Sequence, residues 1–336
     1  MRKIVLLLFG IILFACVREE ILVFDDIPEE LIVDALFRTD DTLHTVRVFL
    51  RASDGSVKSV SGRLSVECTI EGKPLIKDVE EDDLYEMGRL FYLPATFSSG
   101  DKVRLDVKGE RYNAFSETVV PEPVILTLED TVCTESPGIN GVYNCSVRVH
   151  DRLGERTWLK AFPTRGLTCL KDGKGGDVRE CLLTERFALV SADNPVFDND
   201  DFQLPSGLGG TAYNWYDLSF SFSDRLFVDD SCVLTYESVR LRRFRSFHGA
   251  SGYHYDEAYV EPSVLLPVGT MSEEVYKYMT KMDNLRIHTG KVQDMLSEPV
   301  VLPDNIQGGV GFFGIINVSS LVIRFKDIFI ASDIYI

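Results

Sequence analysis

The chain has 336 residues, and its 35 Lys+Arg against 52 Asp+Glu leave a formal net charge of −17. A hydrophobic fraction of 45% with 26% charged residues belongs to a packed globular protein, not to a disordered or fibrous one. A pI near 4.8 speaks against nucleic-acid binding, which needs a basic surface, and the length suggests about two domains.

Residues 1–15 read as a lipoprotein signal peptide. Arg2 and Lys3 give a basic start, and the uncharged apolar run over residues 4–15 follows them. As a helix that run would reach about 18 Å, well short of a bilayer core of roughly 30 Å. It ends at Leu13-Phe14-Ala15-Cys16, which resembles a bacterial lipobox, with Cys16 as the residue that takes lipid. The plain alternative is an ordinary signal followed by a chance cysteine. Residues 16–30 would then be a lipidated linker. Within it, Val17-Arg18-Glu19-Glu20 is similar to the surface-export signal of Bacteroidetes-type lipoproteins. That similarity implies an outer-membrane protein facing the cell exterior; a charged linker start is the other reading.

Residues 31–121 read as an immunoglobulin-like β-sandwich. Val46, Val48 and Leu50 alternate with Arg47 and Arg51, and Val103, Leu105 and Val107 alternate with Arg104 and Asp106. Turn signals at Asp54-Gly55, Glu71-Gly72 and Ser99-Gly100-Asp101 separate the runs. Cys68 falls on the apolar side of such a run and reads as a buried thiol. Pro121 and Pro123 mark a linker, since proline breaks ladder pairing.

Residues 124–336 read as a second β-rich domain with one or two short helices. Cys133 and Cys145 flank one turn-rich loop, and Cys169 and Cys181 flank another. In an exported chain each pair is expected to close a hairpin mouth with a disulfide, stabilising by about 3 kcal/mol. The acidic stretch Asp198-Asn199-Asp200-Asp201 fails the EF-hand spacing and reads as a solvated loop. Beside the glycine-rich loop at 207–210, Tyr213, Trp215 and Tyr216 offer aromatic faces. These suit stacking against sugars or peptides, and core packing explains them equally well. Arg240, Arg242, Arg243 and Arg245 could dock an anionic ligand or a lipid headgroup, or pair internally with the many acids. His44, His150, His248, His254 and His288 show no metal-ligand spacing, and no metal or cofactor is expected. A helix is expected over residues 272–283, with Ser272 as N-cap and Val275, Tyr278, Met279 and Met282 on one face. Strand-like runs at 321–325 and 328–330 follow.

The stretch Asp304-Asn305-Ile306-Gln307-Gly308-Gly309-Val310-Gly311-Phe312-Phe313-Gly314 stands apart. Its Gly309-Val310-Gly311-Phe312-Phe313-Gly314 fits the dinucleotide fingerprint G-x-G-x-x-G, but the residues after it read as strand where that mechanism needs a helix. The glycines are expected to serve a tight backbone path, with Phe312 or Phe313 entering the core. Asn305, Gly308, Gly309, Gly311, Phe313 and Gly314 resemble the terminal motif of an uncharacterised Bacteroidetes lipoprotein family, domain of unknown function 4249. The lipobox, the β-rich first half, the helix after Ser272 and Phe222-Ser223-Asp224-Arg225-Leu226-Phe227 also look like that family. The resemblance implies an outer-membrane lipoprotein, often encoded near TonB-dependent transporters, and carries over no catalytic residue. The leading expectation is a non-enzymatic accessory or ligand-binding partner of such a transporter, held by a lipid anchor and without affinity for nucleic acid. An adhesin-like surface protein and an unrecognised hydrolase are the rivals.

Overall fold

The computed structural model describes the backbone of residues 28–324, except for 54, 76–79, 85–87, 136–139, 152–153, 155, 163–164, 172–178, 184–186, 190–219, 239–240, 243–258 and 289–300. The first part contributes β1 (Glu30–Arg38), β2 (Leu43–Arg51), β3 (Val57–Lys58), β4 (Leu64–Ile70), β5 (Lys73–Pro74), β6 (Glu80–Leu84), β7 (Gly88–Pro94), β8 (Lys102–Gly109) and β9 (Asn113–Val119). The second contributes β10 (Ile125–Glu135), β11 (Asn140–His150), β12 (Trp158–Ala161), β13 (Arg165–Lys171), β14 (Arg179–Leu183), β15 (Phe187–Leu189) and β16 (Phe220–Ser223). A 3₁₀ turn at Asp224–Leu226 leads to β17 (Ser231–Ser238), β18 (Leu241–Arg242) and β19 (Tyr259–Met271). Helix α1 (Glu273–His288) and the long β20 (Val310–Arg324) complete the described chain. The class is mainly β, as the residue pattern indicates.

The expected turns form for local reasons. Glu71 and Gly72 both take positive φ (49° and 74°), the combination that a two-residue hairpin needs between β4 and β5. Before β8, the Ser98 N–H donates to the Asp101 carboxylate at 2.7 Å, and Gly100 sits at φ 83°. Ser272 accepts the Val275 N–H at 3.3 Å, so α1 starts where its cap predicts. It continues past residue 283 to His288, because neither proline nor glycine interrupts the sequence before Gly290.

Among the described residues three sheets form. An eleven-stranded sheet runs β14-β13-β19-β20-β1-β2-β7-β6, with β12 and β16 attached through β19 and β3 attached to β2. A four-stranded sheet runs β5-β4-β8-β9, and a five-stranded one runs β10-β11-β17-β15 with β18 on β11. The position of β20 organises the molecule. Its first half pairs in parallel with β1 (Ile32 opposite Val310 through Arg38 opposite Ile316), and its second half pairs antiparallel with β19. Strand residues of like parity share a face. Phe313 and Ile315 join the core against the four-stranded sheet, and Ile323 joins the core against the five-stranded sheet. Both small sheets therefore lie on the same face of the large one, side by side. The even positions Phe312 and Ile316 meet α1 on the opposite face.

The segment between the two small sheets is tied down. Asn317 donates to the Pro121 carbonyl at 2.7 Å, and the Ser319 hydroxyl donates to that of Val124 at 2.6 Å. Thr39 donates to the Asn317 side-chain oxygen (2.9 Å) and accepts from the Val318 N–H (2.9 Å). The two prolines thus mark a passage between sheets that β20 holds in place.

The disulfide expectation needs correcting. Cys145 is a free buried thiol, like Cys68 and Cys232. In the β10–β11 ladder Cys145 stands opposite Thr131, while Cys133 stands opposite Tyr143. The two are diagonal neighbours, at about 7–8 Å, which exceeds the span of a disulfide. In the β13–β14 ladder Cys169 stands opposite Glu180 and Cys181 opposite Thr168. The side chains of Cys133, Cys169 and Cys181 lie outside the described residues. Burial pushes the thiols of Cys68, Cys145 and Cys232 up to about 12, far from the thiolate form at neutral pH. A thiol reagent at pH 7 should leave these three cysteines unmodified in the folded protein and modify them in denaturant, as read by peptide mass. Rapid labelling of Cys145 without denaturant would contradict the core placement.

Candidate functional site

The glycine motif closes the first sandwich. Asn305 grips one residue twice: its side-chain amide donates to the Phe313 carbonyl, and its oxygen accepts the Phe313 N–H, both at 2.8 Å. Asp304 accepts from the N–H groups of Ile306 (3.0 Å) and Gly311 (3.1 Å). Gln307 exchanges two backbone hydrogen bonds with Phe115 of β9. The loop thereby joins β9 to β1 across the end of the sandwich. Gly308 (φ 78°) and Gly311 (φ 121°) hold backbone that L side chains rarely adopt. A Cβ at Gly308 would overlap the Asn113 carbonyl oxygen, and one at Gly311 would overlap that of Val33. A Cβ at Gly309 would stand 2.7 Å from the Leu31 oxygen, and one at Gly314 would stand 2.6 Å from the Val275 side chain. Phe312 and Phe313 are both buried. A phosphate cradle needs free N–H groups at a helix start. Here the motif's own Asp304 and Asn305 occupy them, and β20 follows.

A buried polar cluster lies under α1. Lys160 on β12 donates to Asp283 at 2.6 Å and to the Ser221 hydroxyl of β16 at 3.3 Å. The side chains of Lys160 and Asp283 are 1% and 9% exposed. Tyr276, Thr280 and Asp283 fall on one stripe of the helix, which explains how an acid comes to face inward. The serine–lysine contact has the outline of a nucleophile and its base. A base nitrogen, however, must offer a lone pair, and the ammonium of an ion pair has none. With Ser221 buried as well, this arrangement binds elements together.

A second cluster lies where β11, β12 and the 3₁₀ turn meet. The Thr157 N–H donates to Asp224 and the Thr157 hydroxyl to Asp151, each at 3.0 Å. Burial raises the Asp224 carboxyl above its ordinary range, and the neighbouring Asp151 carboxyl adds to the rise. Beside it Leu226 and Val228 are exposed at the tip. Among the described residues no group of three or more His, Cys, Asp or Glu is arranged to hold a metal ion.

Of the residues singled out in the sequence, the structure brings together the glycine motif and the face of α1. Cys16, Tyr213, Trp215, Tyr216, Arg240, Arg243 and Arg245 lie outside the described residues, as do Asp198, Asp200, Asp201, His248, His254 and the run at 328–330. Arg242 sits on β18 opposite Asn140, with its backbone alone described. His44 is a core residue packed between Phe37 and Phe97 with its ring tilted against both, its Nε2 3.0 Å from the Ala95 carbonyl. Burial lowers its pKa. Lys160, Asp283 and Ser221 escaped the sequence reading. The available signal was a lone lysine inside the apolar run Trp158-Leu159-Lys160-Ala161-Phe162.

The family model "Domain of unknown function (DUF4249)" matches residues 18–321. The chain belongs to this family. Within DUF4249 the motif that carried the resemblance is thus, in this chain, the clasp between β1, β9 and β20. No curated protein matches the chain. Among solved structures, the Yersinia pseudotuberculosis adhesin InvE aligns over 71% of this chain at 10% identity, with a TM-score of 0.21. The alignment spans 55% of that adhesin's length. A TM-score this low marks no common overall fold.

Proposed function

We propose that this DUF4249 protein is a lipid-anchored protein of the outer-membrane surface that acts by binding, as an accessory or ligand-binding partner of a TonB-dependent nutrient transporter. The observation that carries the reading is Leu13-Phe14-Ala15-Cys16 at the end of a short apolar run behind Arg2 and Lys3. Several acyl chains on one cysteine anchor a protein firmly, whereas a single chain is marginal. The fold supports a binding role in a physical sense. Two sandwiches that share one sheet and one strand make a stiff platform, and loops on a stiff platform can hold a partner at low ordering cost. The net charge of −17 favours a partner surface that is basic or neutral.

The test has two arms. Cys16→Ser should abolish fatty-acid labelling and move the protein from the membrane to the soluble fraction. Affinity purification of the wild-type lipoprotein from outer membranes should then recover a TonB-dependent transporter in stoichiometric yield. Unchanged labelling of the variant removes the anchor. Labelling without a transporter in the purified material removes the partner while leaving the anchor, and favours the adhesin-like reading.

A further inference from the structure

The stretch Phe222-Ser223-Asp224-Arg225-Leu226-Phe227 divides in the fold into an inner part and an outer part. Phe222 is fully buried, and Phe227 packs against the same core with ring centroids 6.4 Å apart. The backbone of Phe227 is extended (φ −69°, ψ 144°), and side chains along extended backbone alternate sides. Its two neighbours therefore point away from the core: Leu226 is 40% exposed and Val228 is 73% exposed. Apolar surface residues standing singly are ordinary. Here two stand together on a backbone that is held from several sides. Val228 and Ser231 exchange backbone hydrogen bonds at 3.0 and 3.2 Å, closing a two-residue turn at Asp229-Asp230. The Ser231 hydroxyl donates to the Val228 carbonyl at 3.3 Å and accepts from Arg148 at 3.0 Å. The Asp151 N–H donates to the Asp230 carbonyl at 2.8 Å, and the Phe227 N–H to that of Asp224 at 2.9 Å. Asp229 and Asp230 both take positive φ (51° and 55°), a geometry that Asn-Gly adopts with less strain. The turn thus keeps two exposed carboxylates beside Val228 where a glycine would relieve the backbone.

Building on the transporter-partner reading, we infer that this tip is the knob by which the protein docks on that partner. Seating Leu226 and Val228 in an apolar pocket removes their exposed surface from water. A backbone already held in place loses little freedom on seating. The charges describe the rim of the pocket. Asp229 and Asp230 match Lys or Arg beside Val228, and the exposed Arg225 matches an acid on the side of Leu226. The same carboxylates disfavour two other occupants. A surface of anionic lipid headgroups would repel them. A second copy docked tip to tip would set them against their own kind. The partner is therefore a different protein, with an apolar pocket and a largely basic rim.

The experiment uses the full-length lipoprotein in its own outer membrane, purified with its partners and read by quantitative mass spectrometry. Val228→Glu places a charge in the apolar pocket and should lower the recovered transporter roughly tenfold or more, with the unfolding midpoint unchanged. Val301→Glu, at an equally exposed apolar position (74%), should leave recovery at the wild-type level. Asp229→Asn with Asp230→Gly gives the turn its preferred residues. The midpoint should hold or rise while recovery at low salt falls several-fold, a split that a merely structural turn would not produce. A photo-crosslinking residue at position 228 should yield an adduct with the transporter. An adduct with a second copy or with lipid would overturn the proposal. So would equal losses from Val228→Glu and Val301→Glu, or wild-type recovery from the Asn-Gly variant. Wild-type protein that recovers no transporter removes the transporter reading and the knob together. Recovery by wild type and Val228→Glu alike removes the knob alone.

Discussion

Gly311→Ala is expected to lower stability by about 2–6 kcal/mol, combining backbone strain of about 1–3 kcal/mol with an overpacking cost of similar size. Gly311 sits at φ 121°, and its missing Cβ leaves room for the Val33 carbonyl oxygen. Val33 is its registered partner in the parallel β1–β20 ladder and is 1% exposed. With β2 on its other side, β1 has nowhere to retreat. Against a typical total of about 5–15 kcal/mol, such a loss shifts a urea midpoint plainly. Gly100→Ala is the control, since Gly100 also has positive φ (83°) but nothing within 4 Å of its would-be Cβ. It should cost only about 1 kcal/mol. Equal midpoints for the two variants would show that close backbone approach is not what demands a glycine at 311. Neither variant should alter affinity for NAD or ATP, because the N–H groups of Ile306, Gly311 and Phe313 are already used.

Much of this architecture can be read from local pattern, and the limits of that reading have physical causes. Alternation in β2 and β8, the Glu71-Gly72 turn and the Ser272 cap are short-range properties, written into neighbouring residues. The partner of β1 is not a short-range property. Ile32 pairs with Val310 because both strands expose a backbone edge and an apolar face that only the other can cover. The composition of β20 offers a hint, in that Phe312, Phe313, Ile315 and Ile316 form a continuous apolar run suited to a strand covered on both faces. The cysteines mislead for a related reason. Their spacing around turn residues suggests hairpin mouths, yet β10 and β11 extend beyond them toward the turn, so Cys145 lies within a core strand. The buried cluster was missed because Lys160, Ser221 and Asp283 lie far apart in sequence, and only the packing of α1 brings them together.

A fragment spanning residues 28–121, cut at the proline-marked passage, is expected not to fold on its own. The first core includes Ile306, Phe313 and Ile315, which enter from the far end of the chain. Removing each forfeits about 1.5–3 kcal/mol of burial, so together about 5–9 kcal/mol, comparable with the whole stability of a domain. The fragment would also leave β1 without its parallel neighbour and β9 without the Phe115–Gln307 bridge, exposing a long strand edge. It should appear aggregated or molten, with bound hydrophobic dye and no cooperative unfolding. Adding a peptide of residues 301–318 in trans should restore a cooperative transition, because that segment carries the clasp, the three core residues and the β1 ladder. The same peptide with Gly311→Ala should rescue poorly. A fragment that unfolds cooperatively near the full-length midpoint without the peptide would mean that the 31–121 sandwich is an independent domain, and that β20 decorates it instead of completing it.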